Sequence, residues 1–384
     1  MTHRSLYVSQ YLSGTIVATL GPVLDSVLRD FHIPLAQGGL PALAYFSGIV
    51  IGLLSLNVFL AHVPVKWCLV GAALVESVAL ATTGLLTRSL GSFASAYFLV
   101  GLPAWVLSGV SGMWISAHVR EKAAWALNLV MLSSVSGMTA TPLIVGLLLS
   151  SGVYWRWVYV GEAILALVIA VIISFLPLAD IPDRENVRPR HLRALAAHNP
   201  RLLAALGGAS FMYLGAEMTL ITWLPKFEVD VFATGATWAG LAVTFYFVGQ
   251  IAGRLAGIPL TRRVLPSSLL VAFAALTAVF IAGVAASPAQ GLSLALTFVA
   301  GFSSSASFSL IGSYSSRFPL WYAGVAYSCF QLSGGVGSIL FPYLIGPVAA
   351  GAGFRAAVAV TAVPMLLVAF FAFGLRRTSG EARL

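Results

Sequence analysis

The octapeptide YFSGIVIG at residues 45–52 returns at residues 246–253 as YFVGQIAG, an offset of 201 positions. Its tyrosine, phenylalanine and both glycines keep register. Other stretches repeat at nearly the same interval. Gly137, Pro142 and Gly146 recur as Gly337, Pro342 and Gly346, and Trp155-Arg156 recurs as Phe354-Arg355. YLSGT at 11–15 is echoed by YLGAE at 213–217. One such match means little in so apolar a chain. Several in one order at a nearly constant spacing mark an internal duplication.

The duplicated material is lipid-compatible. Of 384 residues, 59% are hydrophobic and only 9% charged, against roughly 25% charged in soluble domains. A bilayer core requires about 20 apolar residues per helix. Twelve spans satisfy this, near 6–30, 36–61, 66–86, 91–118, 123–150, 156–178, 202–225, 235–261, 265–286, 290–315, 320–349 and 354–375. The first lacks a small-residue cleavage site and is interrupted by Gly21-Pro22, so it reads as a retained helix rather than a secretory signal. The longest polar stretch, ADIPDRENVRPRHLRALAAHNP at 179–200, divides the spans six and six. The expected architecture is an all-α integral membrane protein with twelve transmembrane helices in two pseudo-symmetric six-helix bundles. Residues 1–178 form the N-terminal bundle, 179–200 a cytoplasmic linker and 201–384 the C-terminal bundle.

The net charge of +9 is distributed by topology, which argues against nucleic acid as a partner. Odd-numbered connections hold Arg29, Arg88, Arg156, Lys226 and Arg355. The termini and even-numbered connections hold fifteen basic residues, from Arg4 and Lys66 to Arg376, Arg377 and Arg383. The positive-inside bias places both termini in the cytoplasm of a bacterial inner membrane or plasma membrane. Cys68 and Cys329 are far apart in apolar segments and read as packing thiols.

A six-plus-six parallel repeat with a basic central loop resembles the major facilitator superfamily, along essentially the whole chain. The resemblance implies two bundles that alternate access to a midplane site. The family's loop signature after the second span is degenerate in the first half, with Leu56 in the Asp position. The second copy, GRLAGIPLTRR at 253–263, keeps Gly253, Leu255, Arg262 and Arg263 but has Gly257 where the acid would be. Gly253, Arg254, Gly257, Arg262 and Arg263 are therefore conformational candidates, together with Gly137, Pro142, Gly337 and Pro342. The latter four have a packing reading too: small residues let helices approach and proline kinks them.

An ionisable group at the bilayer centre costs at least ~2.5–3.5 kcal/mol on insertion scales, which makes each a functional candidate. Four acids qualify: Asp25, Glu76, Glu162 and Glu217. Asp25 lies near an outer helix end, within reach of water. Glu162 follows WRWVYVG and has Arg156 as a nearby partner. Glu76 is mid-span in LVESVAL, in a helix that the resemblance makes peripheral. Glu217 sits in YLGAEMTLITWLPKF, sixteen residues beyond Arg201, or about 24 Å along a helix. Tyr213 lies one turn before it. A second reading gives Glu217 only a hydrogen bond to a neighbouring helix. Glu217, with Glu76 behind it, is the candidate proton-coupling group.

By the same resemblance, spans one, four, seven and ten line the cavity. The candidate substrate-binding side chains are Gln10, Tyr11, Thr15, Tyr45, Trp105, Trp114, Asn128, Tyr213, Glu217, Thr222, Trp223, Tyr246, Gln250, Tyr314, Tyr327 and Gln331, with serines from GFSSSASFSLIGSYSS at 301–316. The inventory is hydroxyls, amides and aromatic faces. No basic residue lies clearly at mid-membrane, which disfavours phosphate, nitrate and dicarboxylates, since guanidinium matches their geometry. A neutral, sugar-like solute suits the set. A hydrophobic cation would suit the same aromatics with Glu217 as counter-charge. YLGAEMTLITWLPKF resembles the seventh span of the fucose-permease-like branch, through Tyr213, Gly215, Glu217 and Trp223. The acids of that branch in spans one and four have no counterpart here.

The leading expectation is a secondary active transporter of a small organic solute, driven by protons and working as a monomer without a cofactor. A proton-driven multidrug or metabolite exporter of the same fold is the alternative. An intramembrane enzyme or receptor is remote. There is no GxxxxGK[ST], HExxH or Gly-x-Ser-x-Gly motif, and the six histidines scatter at span ends and loops, with no metal site among them.

Overall fold

The computed structural model describes residues 4–118, 123–180, 195–260 and 264–378. Side chains at 56–62, 116–117, 123–128, 257–260 and 320–321 lie outside the description, as do most of the expected linker and Arg262 and Arg263. Among the described residues, twelve helical segments are long and apolar enough to cross a membrane. The helices are α1 (Arg4–Asp30), α2 (Leu40–His62), α3 (Val65–Leu85), α4 (Leu90–His118), α5 (Ala123–Ser150), α6 (Trp155–Phe175), α7 (Pro200–Phe232), α8 (Ala236–Leu260), α9 (Pro266–Ala286), α10 (Gln290–Ser304), α11 (Ser307–Ser313), α12 (Leu320–Ala352), α13 (Phe354–Val360) and α14 (Ala362–Thr378). Helices α10 and α11 make up the tenth expected span, and α13 and α14 the twelfth.

Contacts divide the chain into two compact units. The first comprises residues 1–34, 40–186 and 235–240; the second comprises 35–39, 187–234 and 241–384.

In the first unit the principal pairs are α2 with α4, α1 with α5 and α3 with α6. Helix α3 shows why. Leu69, Ala72, Ala73, Glu76, Ala79, Leu80 and Thr83 are buried on one face, while Leu74, Val75 and Val78 are exposed on the other. The helical period thus sorts a nearly uniform apolar sequence into a packed face and an outward apolar one. Small residues set the closeness of the other pairs. A Cβ on Gly101 would stand 2.0 Å from the Tyr45 carbonyl oxygen, and one on Gly14 would stand 2.0 Å from that of Ser134.

The second unit repeats these devices. Gly301 meets the Tyr246 carbonyl at 1.9 Å by the same construction, and Gly337 meets that of Phe211 at 2.0 Å. The two glycines of YFVGQIAG, Gly249 and Gly253, pack on the carbonyls of Phe298 and Phe302, as Gly48 and Gly52 do on Phe98 and Leu102. The octapeptide is therefore a helix-packing surface used twice, with the tyrosine carbonyl seated on a glycine each time.

The basic residue after the fifth helix of each unit also has one task. The Arg156 Nη1 donates to the carbonyls of Gly84 at 3.3 Å and Thr87 at 2.6 Å. The Arg355 Nη1 donates to those of Ala285 at 2.8 Å and Ser287 at 2.7 Å. Each guanidinium satisfies the carbonyls at the end of a neighbouring helix and complements its negative dipole end. Gly152 and Gly353, at φ +88° and +83°, make the turns that precede these arginines.

The structure corrects one expected pairing. Arg156 forms its ion pair with Asp30, at 3.5 Å, and not with Glu162. Glu162 is buried and accepts from the Thr19 hydroxyl of α1. The two lie on one helix, but the aromatic side of α6 directs Arg156 over the Trp155 ring, 4.6 Å from its centroid, toward the end of α3. Glu228, near the end of α7, is fully buried and accepts from the Ser293 hydroxyl at 2.6 Å.

Candidate functional site

Glu217 lies on α7 among buried polar groups of the second unit. The YLGAE register puts Tyr213 one turn before it on the same face. The Tyr213 hydroxyl donates to the Glu217 Oε1 at 2.9 Å and lies 3.3 Å from the Ser304 carbonyl oxygen. Helix α8 contributes Tyr246 and Gln250, which are four residues apart. The Tyr246 hydroxyl lies 3.5 Å from the Glu217 Oε1, and the Gln250 Nε2 donates to the same oxygen. Ser304 of α10 joins them: its Oγ is 2.9 Å from the Tyr246 hydroxyl and 3.4 Å from the Gln250 Nε2.

The packing of YFVGQIAG explains this convergence. Gly249 and Gly253 draw α8 against α10, and Gly301 seats the Tyr246 carbonyl. The Tyr246 and Gln250 side chains then point to Glu217 and Ser304. Glu217, Tyr213, Tyr246, Gln250 and Ser304 are all buried. One turn beyond Gln250, Arg254 donates from Nε to the Ser305 carbonyl at 3.2 Å and acts electrostatically on Glu217. A carboxylate removed from water needs such donors to offset lost hydration. The arrangement can hold a carboxyl group in either protonation state and present hydroxyl and amide groups beside it.

Four of the residues proposed from the sequence, Tyr213, Glu217, Tyr246 and Gln250, thus meet in one network. Ser304 is the fifth member; the run of serines in span ten carried the signal, but not which serine. Others from the second half have different surroundings. The Trp223 Nε1 donates to the Pro342 carbonyl at 2.8 Å, fastening α7 to α12. Thr222 and Tyr314 are buried, Tyr327 is 41% exposed with its ring 5.3 Å from that of Phe330, and Gln331 is partly buried.

The candidates of the first half are spread through their own unit. The Gln10 Nε2 donates to the Ser108 carbonyl at 2.7 Å, and the Thr15 hydroxyl returns to the Leu12 carbonyl. The Trp114 Nε1 donates to the Ala179 carbonyl at 2.8 Å and its ring stacks on His118. Tyr11 and Trp105 are partly buried and Tyr45 is buried beside Tyr97. The side chain of Asn128 lies outside the description, as does the surrounding of Gly257. Gly137 packs on the Tyr11 carbonyl, and the Pro142 carbonyl faces Gly240.

Residues 6–240 match the model of the Major Facilitator Superfamily. The chain belongs to this family, and it is a membrane transporter rather than an enzyme. It is 25% identical over 369 residues to a TsgA homolog of Erwinia tasmaniensis, covering 92% of this chain and 89% of the relative. A TsgA homolog of Yersinia pestis is 24% identical over 256 residues, which cover 64% of this chain and 62% of the relative. Solved structures with the same fold include a D-xylose–proton symporter, at TM-score 0.79 and 14% identity with 98% of each chain covered. The fucose:proton symporter FucP of E. coli aligns at TM-score 0.67 and 16% identity, over 97% of this chain and 99% of that one. The nucleoside transporter NupG aligns at TM-score 0.74 and 16% identity, over 97% and 98%.

Proposed function

We propose that this transporter moves a small, neutral, polar solute of sugar-like character, coupled to protons through Glu217. The supporting observation is the Glu217 network itself. One buried carboxyl group is surrounded by two tyrosine hydroxyls, a carboxamide and a serine. These groups match the donors and acceptors of a polyhydroxylated solute. They offer no bidentate guanidinium to an anion; Arg254, one turn beyond Gln250, is engaged by the Ser305 carbonyl. A buried carboxyl group that exchanges its donors with substrate or proton couples the two events. The solutes for which the similar transporters are named, D-xylose, fucose and nucleosides, are neutral polar molecules and favour the same class.

On this reading the protein works as a monomer in a bacterial inner membrane or plasma membrane, and the distribution of Lys and Arg favours cytoplasmic termini. Thermal-shift titration of the purified protein against sugars, nucleosides, organic acids and lipophilic cations tests the substrate class. Saturable stabilisation by a sugar or nucleoside is expected. Stabilisation by organic acids or lipophilic cations alone overturns the assignment and, for the cations, favours an exporter.

A further inference from the structure

The first unit holds a second buried acidic cluster, built from different helices. Glu76 of α3 is fully buried, and neither carboxyl oxygen has a hydrogen-bond partner. Glu162 of α6 is 8% exposed; its Oε1 accepts from Thr19 of α1, while its Oε2 has no partner. The charges of the two groups act on one another. Around them stand Tyr45 of α2, Tyr97 of α4 and Tyr159 of α6, all at or below 2% exposure. Each hydroxyl feels the Glu162 charge, and those of Tyr45 and Tyr97 feel Glu76 as well. The hydroxyls of Tyr45, Tyr97 and Tyr159 have no hydrogen-bond partner.

The rings form a continuous wall. Tyr45 and Tyr97 lie 5.3 Å apart, Tyr97 and Tyr159 5.8 Å, and Phe93 stacks on Tyr97 at 5.4 Å. Ser77 Oγ donates to the Ala163 carbonyl at 2.7 Å, holding α3 and α6 together beside the carboxyl groups. The basic residue on this helix, Arg156, is committed to Gly84, Thr87 and Asp30.

Two carboxyl groups in so dry a place, in one cluster with buried tyrosine hydroxyls that have no hydrogen-bond partner, are matched by a ligand that accepts several oxygens at once. Alkali cations bind hard oxygen donors, with carboxylate and hydroxyl ligands. One monovalent cation would neutralise one carboxylate, and the donors of Thr19 and the tyrosines would serve the other. The aromatic wall adds favourable faces for a cation. We infer that Glu76, Glu162 and Tyr45 hold a monovalent metal cation, with sodium as the test ion, in a site separate from the Glu217 network.

The test uses the full-length purified protein at pH 8. Thermal unfolding is followed while sodium chloride replaces choline chloride at constant ionic strength. Sodium is expected to raise the wild-type midpoint saturably, by about 3–6 °C. Glu76→Gln and Glu162→Gln are expected to lose the response, whereas Glu217→Gln keeps it. Should the glutamine variants fail to fold, Tyr45→Phe and equilibrium binding of radioactive sodium to the wild-type protein replace them. Weakened affinity in Tyr45→Phe and saturable binding displaced by unlabelled sodium, not by choline, support the site. No sodium-specific shift and no saturable binding in the wild type overturn the inference. An undiminished response in folded Glu76→Gln and Glu162→Gln proteins also overturns it.

Discussion

The Gln250 carboxamide of α8 donates to the Glu217 carboxyl group of α7. That bond crosses between helices, and it exists because glycines at 249 and 253 bring α8 against α10 and orient its polar face. Helix packing and the candidate site are therefore one structure. Exchanging the pair, with Glu217→Gln and Gln250→Glu together, keeps one carboxyl and one amide in contact. The double variant is expected to recover part of the uptake that Glu217→Gln loses, measured with radiolabelled substrate in proteoliposomes. Gln250→Leu removes a buried hydrogen bond to the Glu217 carboxyl group and is expected to cost about 1–3 kcal/mol of stability.

Trp223 separates structural from ligand-binding roles within the same sequence motif. Its indole serves the Pro342 carbonyl. Trp223→Phe removes this interhelical bond and is expected to cost about 0.5–1.5 kcal/mol, read as a lower unfolding midpoint. The KM for substrate is expected to remain at the wild-type value. A raised KM with unchanged stability would place Trp223 at the ligand instead.

Gly101 and Gly301 seat the Tyr45 and Tyr246 carbonyls. Valine at either position forces backbone against side chain, and overpacking of this kind costs about 1–3 kcal/mol. Thermal unfolding should show similar losses for Gly101→Val and Gly301→Val. Gly301→Val should also impair transport, because it displaces the helix that carries Tyr246 and Gln250.

Arg355→Ala exposes the helix-end carbonyls of Ala285 and Ser287 to the loss of their donor, expected at about 1–3 kcal/mol. Arg156→Ala loses the matching bonds and also the pair with Asp30. The Asp30→Asn variant isolates that pair, which is partly exposed and expected to contribute less than about 1 kcal/mol. Unfolding midpoints should fall in the order Arg156→Ala, Arg355→Ala, Asp30→Asn, with the first lowest.

Much of this architecture was legible in the residues. Twelve apolar runs follow from bilayer thickness, and the doubled YFxGxxxG motif disclosed the duplication, while its use as a packing surface came from the structure. Tyr213 with Glu217, and Tyr246 with Gln250, are each one helical turn apart, so their shared faces could be read directly. That the two pairs meet was not readable, since helix rotation is fixed by glycine contacts between distant segments. The same holds for Ser304, one of several serines in one run. Glu162 misled because proximity along α6 suggested Arg156, while the fold offered Thr19 from another helix.

The central claim is that Glu217 couples solute movement to protons. Proteoliposomes containing a pH-sensitive dye, given an inward gradient of a solute identified by thermal shift, test it most directly. The wild type should acidify the lumen as solute enters, and Glu217→Gln should show no proton movement while still exchanging labelled for unlabelled solute. Solute-driven proton movement in Glu217→Gln equal to that of the wild type would contradict the account.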